Sequence, residues 1–396
     1  MRVVHVTDVY LPRTGGIERQ VAGTAARQAA AGHQVTVLTR TRAGDKPCDE
    51  PGTDVAVCRV PIERTGRPAQ RSVRSALLDA DIVQVHLGGV SPLGWSVLWA
   101  RGAAGLPTVV TVHSLLDGLG GIYRPLAAFG GWRRLPIVWC GVSGTVGKQL
   151  RDLLGPAAAV QVLPNAVDGA AWTAPRGDCT LAPSELLVVS ALRHTRRKRV
   201  EALPNVLAHA QQLITAGAAQ LGVPTPRLRA IIAGDGHRTP ALRAALRRAG
   251  IDGWVSTSGL LDPAALAELY RNAHVYLAPT VLESFGLAVL EARAAGLPVI
   301  AHARSGSAEI LEHGREGFLV HSDEEMARTL AGLALDPARR VAIAEYNRTT
   351  PIRYDWPSHL ALTEHAWSVA AGLCIVGRAM ETPGDDLMDV PTAARG

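Results

Sequence analysis

Short runs of β-branched residues alternate with longer stretches rich in Ala, Leu and Arg along nearly the whole chain, and this alternation restricts the fold more than any other feature. Strands buried on both faces read as continuous apolar runs, and a helix between each pair returns the chain to start a parallel neighbour. In the first half, strands are expected at residues 3–6, 34–38, 82–86, 108–112, 137–142 and 160–163, with a first helix over 16–31 closed by Gly32. The series pauses at residues 164–183, where Pro, Gly, Asp and Thr dominate. It restarts at 186–190 and continues with strands at 229–233, 255–258, 275–278, 298–301 and 317–320. The pause is the place for a linker, and the expected class is α/β with two doubly wound, Rossmann-like domains.

A chain of 396 residues is long for one core and comfortable for two. Hydrophobic residues at 47% supply both. A helix is expected over residues 358–371, and the Pro-, Gly- and Asp-rich residues from Thr382 onward are expected to be disordered. No period of about 20 to 50 residues recurs, which excludes solenoids and propellers. Cys48, Cys58, Cys140, Cys179 and Cys374 are scattered, odd in number and without paired metal spacing, as expected of a reducing, cytoplasmic interior. The chain opens directly on a strand pattern and holds no apolar run of about 18 residues, so neither secretion nor membrane spanning is expected. A net charge of +6 favours anionic ligands but is too small to indicate a nucleic-acid partner. Two basic clusters stand out: Arg64, Arg67, Arg71 and Arg74, and then Arg193, Arg196, Arg197, Lys198 and Arg199.

The most informative segment is Pro279-Thr-Val-Leu-Glu-Ser-Phe-Gly-Leu-Ala-Val-Leu-Glu-Ala, which leaves a strand and enters a helix. Ligands of open α/β sheets bind at such carboxyl ends. With Ser284 as cap, the N–H groups of Gly286 and Leu287 face outward at the positive end of the helix dipole, where a diphosphate fits. Glu283 and Glu291 would repel phosphate but bind hydroxyls strongly, so a sugar beside Glu283 and a ribose beside Glu291 reconcile the two. The cations of Arg193 to Lys198, also after a strand, can neutralise the phosphates and a leaving group. The plainer alternatives are a capped helix with a solvated Glu and a solvated basic loop. Gly15 and Gly16 either let the backbone approach a ligand or form a tight turn. Glu18 either contacts an acceptor or favours the helix dipole as an exposed first-turn residue.

Other chemistries lack their signatures. There is no GxSxG elbow and no GxxxxGK[ST] loop, and Gly234-Asp-Gly236 lacks the third glycine of a dinucleotide fingerprint. Asp79-Ala-Asp81 has the form of a metal-binding DxD, but it directly precedes a strand and reads as a helix-to-strand turn; no metal is expected.

Taken together, Gly15-Gly16-Ile-Glu18, Val112-His113, Val142-Ser143, Leu163-Pro-Asn-Ala-Val-Asp168, Arg193 with Lys198, Ala233-Gly-Asp-Gly236 and Glu283-Ser-Phe-Gly-Leu with Glu291 resemble the retaining family-4 glycosyltransferases, over roughly residues 1–372. The resemblance implies the GT-B fold, two Rossmann-like domains facing across a cleft with a C-terminal helix crossing back. The boundaries expected are 1–170 for an acceptor-side domain, 171–350 for a nucleotide-sugar domain, 351–372 for the crossover helix and 373–396 for a flexible tail. It further implies that Arg193 and Lys198 bind the donor diphosphate, Glu283 the sugar hydroxyls and Glu291 the ribose. Gly16, Phe285, Gly286 and Leu287 line the donor, Gly259 and Leu260 hold its base, and His113 approaches the transferred sugar. Gly15 and Glu18 remain acceptor-side candidates.

The chemistry implied is metal-independent transfer from a UDP- or GDP-sugar to a hydroxyl, with no cofactor and with the leaving phosphate taking the acceptor proton. A small acceptor, such as an aminocyclitol or another secondary metabolite of the antibiotic kind, is expected. The alternatives are a membrane-bound phosphoinositide or other glycolipid met by the Arg64 to Arg74 stretch, and a catalytically silent nucleotide-sugar scaffold. Intact Arg193, Lys198, Glu283 and Glu291 argue against the scaffold. This chain departs from the family in having Arg199 where Gly often follows the lysine, and Ala166 where Pro-Asn-Gly is common.

Overall fold

A computed structural model describes residues 1–43, 54–60, 70–101, 105–116, 137–173 and 184–381. Arg64, Arg67, Cys48, Cys179, the side chain of Arg71, residues 174–183 of the expected linker and the tail from Thr382 lie outside that description. The chain divides into two units: Met1–Gly141 with Gly147–Leu163 and Leu360–Gly396, and Val142–Val146 with Pro164–His359.

The first unit holds a parallel sheet of β1 (Arg2–Thr7), β2 (Gln34–Thr39), β3 (Val55–Arg59), β4 (Ile82–Leu87), β5 (Thr108–Val112), β6 (Ile137–Gly141) and β7 (Ala159–Val162), in the order β3-β2-β1-β4-β5-β6-β7. The sequence pattern predicts six of these strands and misses β3, an edge strand whose residues are only half-buried and so lack a continuous apolar run. Helices α1 (Gly16–Ala30), α2 (Gln70–Leu77), α3 (Pro92–Arg101) and α4 (Gly144–Leu154) connect the strands. Gly32, at φ +88°, closes α1 in the left-handed region: its N–H bonds Ala29 O at 2.9 Å, and that of His33 bonds Gln28 O at 3.1 Å.

The α1 side of this sheet changes character along the strands. Val3, Val35, Ile82 and Val109 form an apolar floor with Val21, Ala22 and Ala25 of α1. Toward the carboxyl ends the same face carries His5, Thr7, Thr39, Gln84, His86 and Thr111, all buried, with His113 just past β5. The parallel-sheet expectation of apolar strands on both faces therefore fails for half of one face.

The second unit has a parallel sheet of β8 (Glu185–Ala191), β9 (Arg227–Ala233), β10 (Val255–Gly259), β11 (Val275–Ala278), β12 (Val299–His302) and β13 (Gly317–Val320), in the order β10-β9-β8-β11-β12-β13. Around it lie α5 (Gly169–Trp172), α6 (Leu203–Leu221), α7 (Thr239–Arg248), α8 (Pro263–Asn272), α9 (Leu287–Ala294), α10 (Asp323–Leu335) and α11 (Pro337–Thr349). Leu207 and Ile214 of α6 and Leu330 of α10 join Val188, Ile232, Leu277 and Ile300 in its core. Residues 164–170, expected in the first domain, fall in the second unit. Val167 N donates to Tyr354 O at 3.1 Å, and His359 Nδ1 sits 2.7 Å from Pro164 O.

The last helix, α12, spans Trp356–Glu381 rather than 351–372. Asp355 caps its start, accepting from Ser358 N at 2.9 Å. Its buried face continues from Ala366, Trp367 and Ala370 to Leu373 and Cys374, which extends the helix beyond the expected end. Among the described residues, no helix is long and apolar enough to cross a membrane.

Candidate functional site

The carboxyl ends of β8, β9, β11 and β12 bring the second unit's predicted residues together. After β8 the chain runs through Arg193 to Lys198 and is braced on both sides. On one side His194 N donates to Asp235 O at 2.9 Å, and Arg238 N donates to His194 O at 3.1 Å. Gly234 and Gly236 take φ +122° and +158°, and a Cβ on either would strike the main chain of Leu192 or His194. Their role here is to let this loop sit against its neighbour. Asp235 accepts from Gly236 N and Thr239 Oγ1, both at 2.7 Å, and those bonds, the Thr239 hydroxyl first, hold its carboxyl below the usual range.

On the other side the loop is joined to the one after β11. Thr280 Oγ1 donates to Lys198 O at 3.3 Å, and the Lys198 ammonium makes a very short contact with the Glu283 carboxylate. The two side chains are 30% and 19% exposed, so the pair is shielded yet open to a ligand. The sequence reading gave these residues separate ends of a donor; in the structure they touch. Arg193, five residues before Lys198 in the same loop, is exposed.

Arg199 clarifies the departure from the family pattern. It sits at φ +55°, where glycine is at ease and arginine is strained, and its guanidinium points away from any phosphate role. It donates to Pro279 O at 2.8 Å and to both oxygens of Asp323 at 3.1 and 2.7 Å. It also lies 3.0 Å from His302 Nε2, which must accept because arginine can only donate. Burial first, and then this cation, push His302 below the ordinary histidine range. Arg199→Lys keeps the strain and loses the two-pronged bond, so melting is expected about 2–4 °C lower, as for roughly 1 kcal/mol. Arg199→Gly removes strain and anchor together; thermal denaturation should show it closer to wild type than the lysine variant.

Glu283 is fixed through its main chain, whose carbonyl accepts from Gly306 N at 2.8 Å. Gly306 packs so tightly that a Cβ would meet the backbone of Ser284 and Phe285. Sequence reasoning did not mark Gly306, although Ser-Gly-Ser a short step past the end of a strand was its signal. Ser284 is not the cap of α9. Gly286 occupies that position at φ +105°, ψ +54°, and no side chain caps the helix. The outward N–H groups of the first turn belong to Leu287 and its neighbours, as expected of any helix start. Phe285 is buried edge-on to Tyr354, with ring centroids 5.4 Å apart, so its side chain serves the core rather than a ligand. Glu291 is buried on α9. Tyr276 on β11 donates to Ala191 O at 3.0 Å; burial, followed by the nearby carboxylates of Glu291 and Glu283, raises its hydroxyl's pKa. Gly259 ends β10 at φ +73°, and Leu260 beyond it is 72% exposed, an apolar surface at the strand end.

In the first unit, Gly15 is extended, so its lack of a side chain is not a conformational need. A Cβ there would collide with the carboxylate of Glu18, which is buried at 3% and pairs with Arg13 at 3.0 Å. Glu18 is thus neither exposed nor open to an acceptor in this arrangement, and the room over Gly15 is filled by the protein itself. Gly16 starts α1. Asp79 and Asp81 both engage Arg2, at 3.4 and 3.3 Å, and Asp81 accepts from Arg2 N at 2.7 Å. Among the described residues no cluster of His, Cys, Asp and Glu is placed to hold a metal ion.

Residues 14–171 match the family described as Glycosyltransferase Family 4, and residues 183–336 match Glycosyl transferases group 1. The glycogen synthase of Mycobacterium tuberculosis is 26% identical over 93% of this chain and 95% of its own length. A D-inositol 3-phosphate glycosyltransferase of Saccharomonospora viridis is 28% identical over 89% of each chain. In structure, Anabaena HepE, solved with UDP and glucose, superposes with a TM-score of 0.71 at 18% identity over 93% of this chain and 99% of its own. WaaG, a glycosyltransferase of lipopolysaccharide biosynthesis, gives 0.65 at 18% identity over 94% and 99%. Two doubly wound parallel sheets, sequence matches in both halves and these structural neighbours agree: the chain belongs to the family-4, group 1 glycosyltransferases and has the GT-B fold.

Proposed function

We propose that the protein moves a sugar from a UDP-sugar to a hydroxyl of a small cyclitol-like acceptor, with retention at the anomeric carbon. The contact between Lys198 and Glu283 at the joined ends of β8 and β11 carries the reading. A lysine has three N–H donors, so Lys198 can hold Glu283 and still reach a phosphate. Arg193 and the N-terminal N–H groups of α9 supply further positive charge, Glu283 takes the sugar hydroxyls and Glu291 the ribose. Leu260 offers the base an apolar surface, and His113 contacts the transferred sugar. Uridine is favoured by the nucleotide bound in HepE, and the acceptor class by the D-inositol 3-phosphate named for the Saccharomonospora relative.

In the step proposed, the bond from the anomeric carbon to the β-phosphate oxygen breaks as the acceptor oxygen bonds to the same face. The acceptor's proton passes to the leaving phosphate, whose charge the cations hold. Proton NMR of the product's anomeric signal decides retention; an inverted product removes this route. Donor hydrolysis without acceptor separates an enzyme from a silent binder.

Lys198→Ala should weaken UDP binding by roughly 10- to 100-fold, the worth of a charge-assisted hydrogen bond. Titration calorimetry with UDP reads it directly. Unchanged affinity would take the diphosphate away from this loop.

A further inference from the structure

The loop after β8 carries its charges outward and one ring inward. Arg193, Arg196 and Arg197 are exposed and the Lys198 side chain is 30% exposed, whereas His194 is wholly buried. The chain turns tightly beyond that ring: Thr195 N donates to Arg193 O at 2.8 Å, and Lys198 N donates to Thr195 O at 3.1 Å. A shift of His194 therefore carries Arg193 and Lys198 with it. The ring ends on the start of α7, where Thr239 Oγ1 lies 2.8 Å from His194 Nδ1, 2.7 Å from Asp235 Oδ1 and 3.2 Å from Gly236 N.

A hydroxyl has one proton to give, and these distances assign it. Asp235 is a carboxylate that can only accept, held below the usual range first by its bond to Thr239. If the Thr239 proton went to His194 instead, two oxygens with no proton between them would face each other at 2.7 Å, which is costly. Thr239 therefore donates to Asp235, and its oxygen accepts from Gly236 N–H and from His194 Nδ1–H. That makes His194 the Nδ1–H tautomer. Burial pushes its pKa below the ordinary histidine range, in keeping with a neutral ring. Each hydrogen of the cluster then has one direction, and Asp235 sets it.

We propose that Asp235 is a positioning residue for the donor: through the Thr239 hydroxyl it makes His194 a fixed Nδ1–H donor, and this inward peg holds Arg193 and Lys198 at the spacing the diphosphate needs. The link to the diphosphate rests on the role given to Arg193 and Lys198 above; the proton directions do not. As a bare charge, an exposed carboxylate beside a phosphate-binding loop would repel the ligand, and its removal would tighten binding. A peg predicts the opposite sign.

Titration calorimetry with UDP tests the positioning. Long-range nitrogen–proton NMR on the uniformly labelled full chain tests the proton directions, with His194 picked out from the 13 histidines by a His194→Leu variant. The wild type should show Nδ1–H on His194; Nε2–H there overturns the proposal. Asp235→Ala should weaken UDP binding about five- to tenfold, the worth of one net hydrogen bond. Asp235→Asn, whose carbonyl oxygen still accepts from Thr239 and Gly236, should bind UDP as the wild type does. Thr239→Val keeps the branched shape but cannot accept, so it should match Asp235→Ala, while Thr239→Ser should match the wild type. A merely structural cluster would lower the melting temperature and leave UDP affinity at its wild-type value, and that result in folded Asp235→Ala overturns the proposal, as does tighter binding. Should Asp235→Ala not fold, wild-type affinity in Thr239→Val is the overturning result. If Lys198→Ala weakens UDP binding and neither of these variants does, only the positioning role is lost; if Lys198→Ala leaves it unchanged as well, the donor reading of the loop has failed with it.

Discussion

Glu283→Ala is expected to lower sugar transfer by about a thousandfold or more while leaving the second unit folded, since a carboxylate holding hydroxyls in the transition state contributes roughly 1.5–3 kcal/mol per charged hydrogen bond. The separation of the two effects follows from the geometry. The residue's main-chain carbonyl, not its side chain, secures Gly306, so the junction of the loops survives the truncation. Its side chain is bound to Lys198, which the substitution sets free to turn wholly to phosphate. UDP affinity should therefore hold or rise as turnover collapses. Steady-state kinetics, calorimetry and far-ultraviolet circular dichroism on the same preparation test all three, and activity within tenfold of wild type would remove Glu283 from the chemistry.

The largest effect on stability is expected at Glu316, far from any ligand role. Arg293 of α9 and Glu316 are 3% and 6% exposed and paired at 2.7 Å. Arg293 also donates to Thr350 O at 2.7 Å, and Glu316 accepts from Glu312 N at 2.8 Å. Asn347 adds a bond to Glu316 O at 2.8 Å. Glu316→Ala leaves the guanidinium buried and without its counter-charge, which costs about 3–5 kcal/mol. At roughly 2–4 °C per kcal/mol for a unit of this size, melting should fall by on the order of 10 °C. Arg293→Met combined with Glu316→Leu should recover much of the loss, because no lone charge then remains. Differential scanning calorimetry of the single and double variants would show it; equal losses in both would mean the pair itself, and not its imbalance, sustains the unit.

The strand series was legible in the sequence because buried parallel strands write themselves as β-branched runs, and most observed strands lie within a residue or two of their expected bounds. β3 was not, since an edge strand needs only a partial apolar face. The site was legible as residue types and not as partners. Glu283 and Lys198 are separated by 85 positions, and only the pairing of β8 with β11 brings them together. Glu18 looked like a free first-turn carboxylate because nothing local announces that Gly15 leaves it room to fold back. Arg199 read only as one more cation of a basic cluster because charge is visible in a sequence, whereas a left-handed φ and a partner at Asp323 are not. The histidines of β1 and β4 passed as ordinary strand residues for the same reason: alternation along each strand is local, but the hydrogen bonds that join His5 to His86, and His86 to His113 just past β5, depend on register.

The loops around the Lys198 and Glu283 pair are tied to one another by main-chain atoms: His194 to Asp235, Gly234 to Gly259 and Glu283 to Gly306. Such a frame is indifferent to the identity of the side chains it displays. Redesign of donor preference can therefore proceed by exchanging tips such as Arg193, Arg196 and Leu260 one at a time, as interchangeable fittings on a fixed mount. The glycines of the mount are a different matter: a single methyl group added at Gly234, Gly236 or Gly306 would shift every fitting at once.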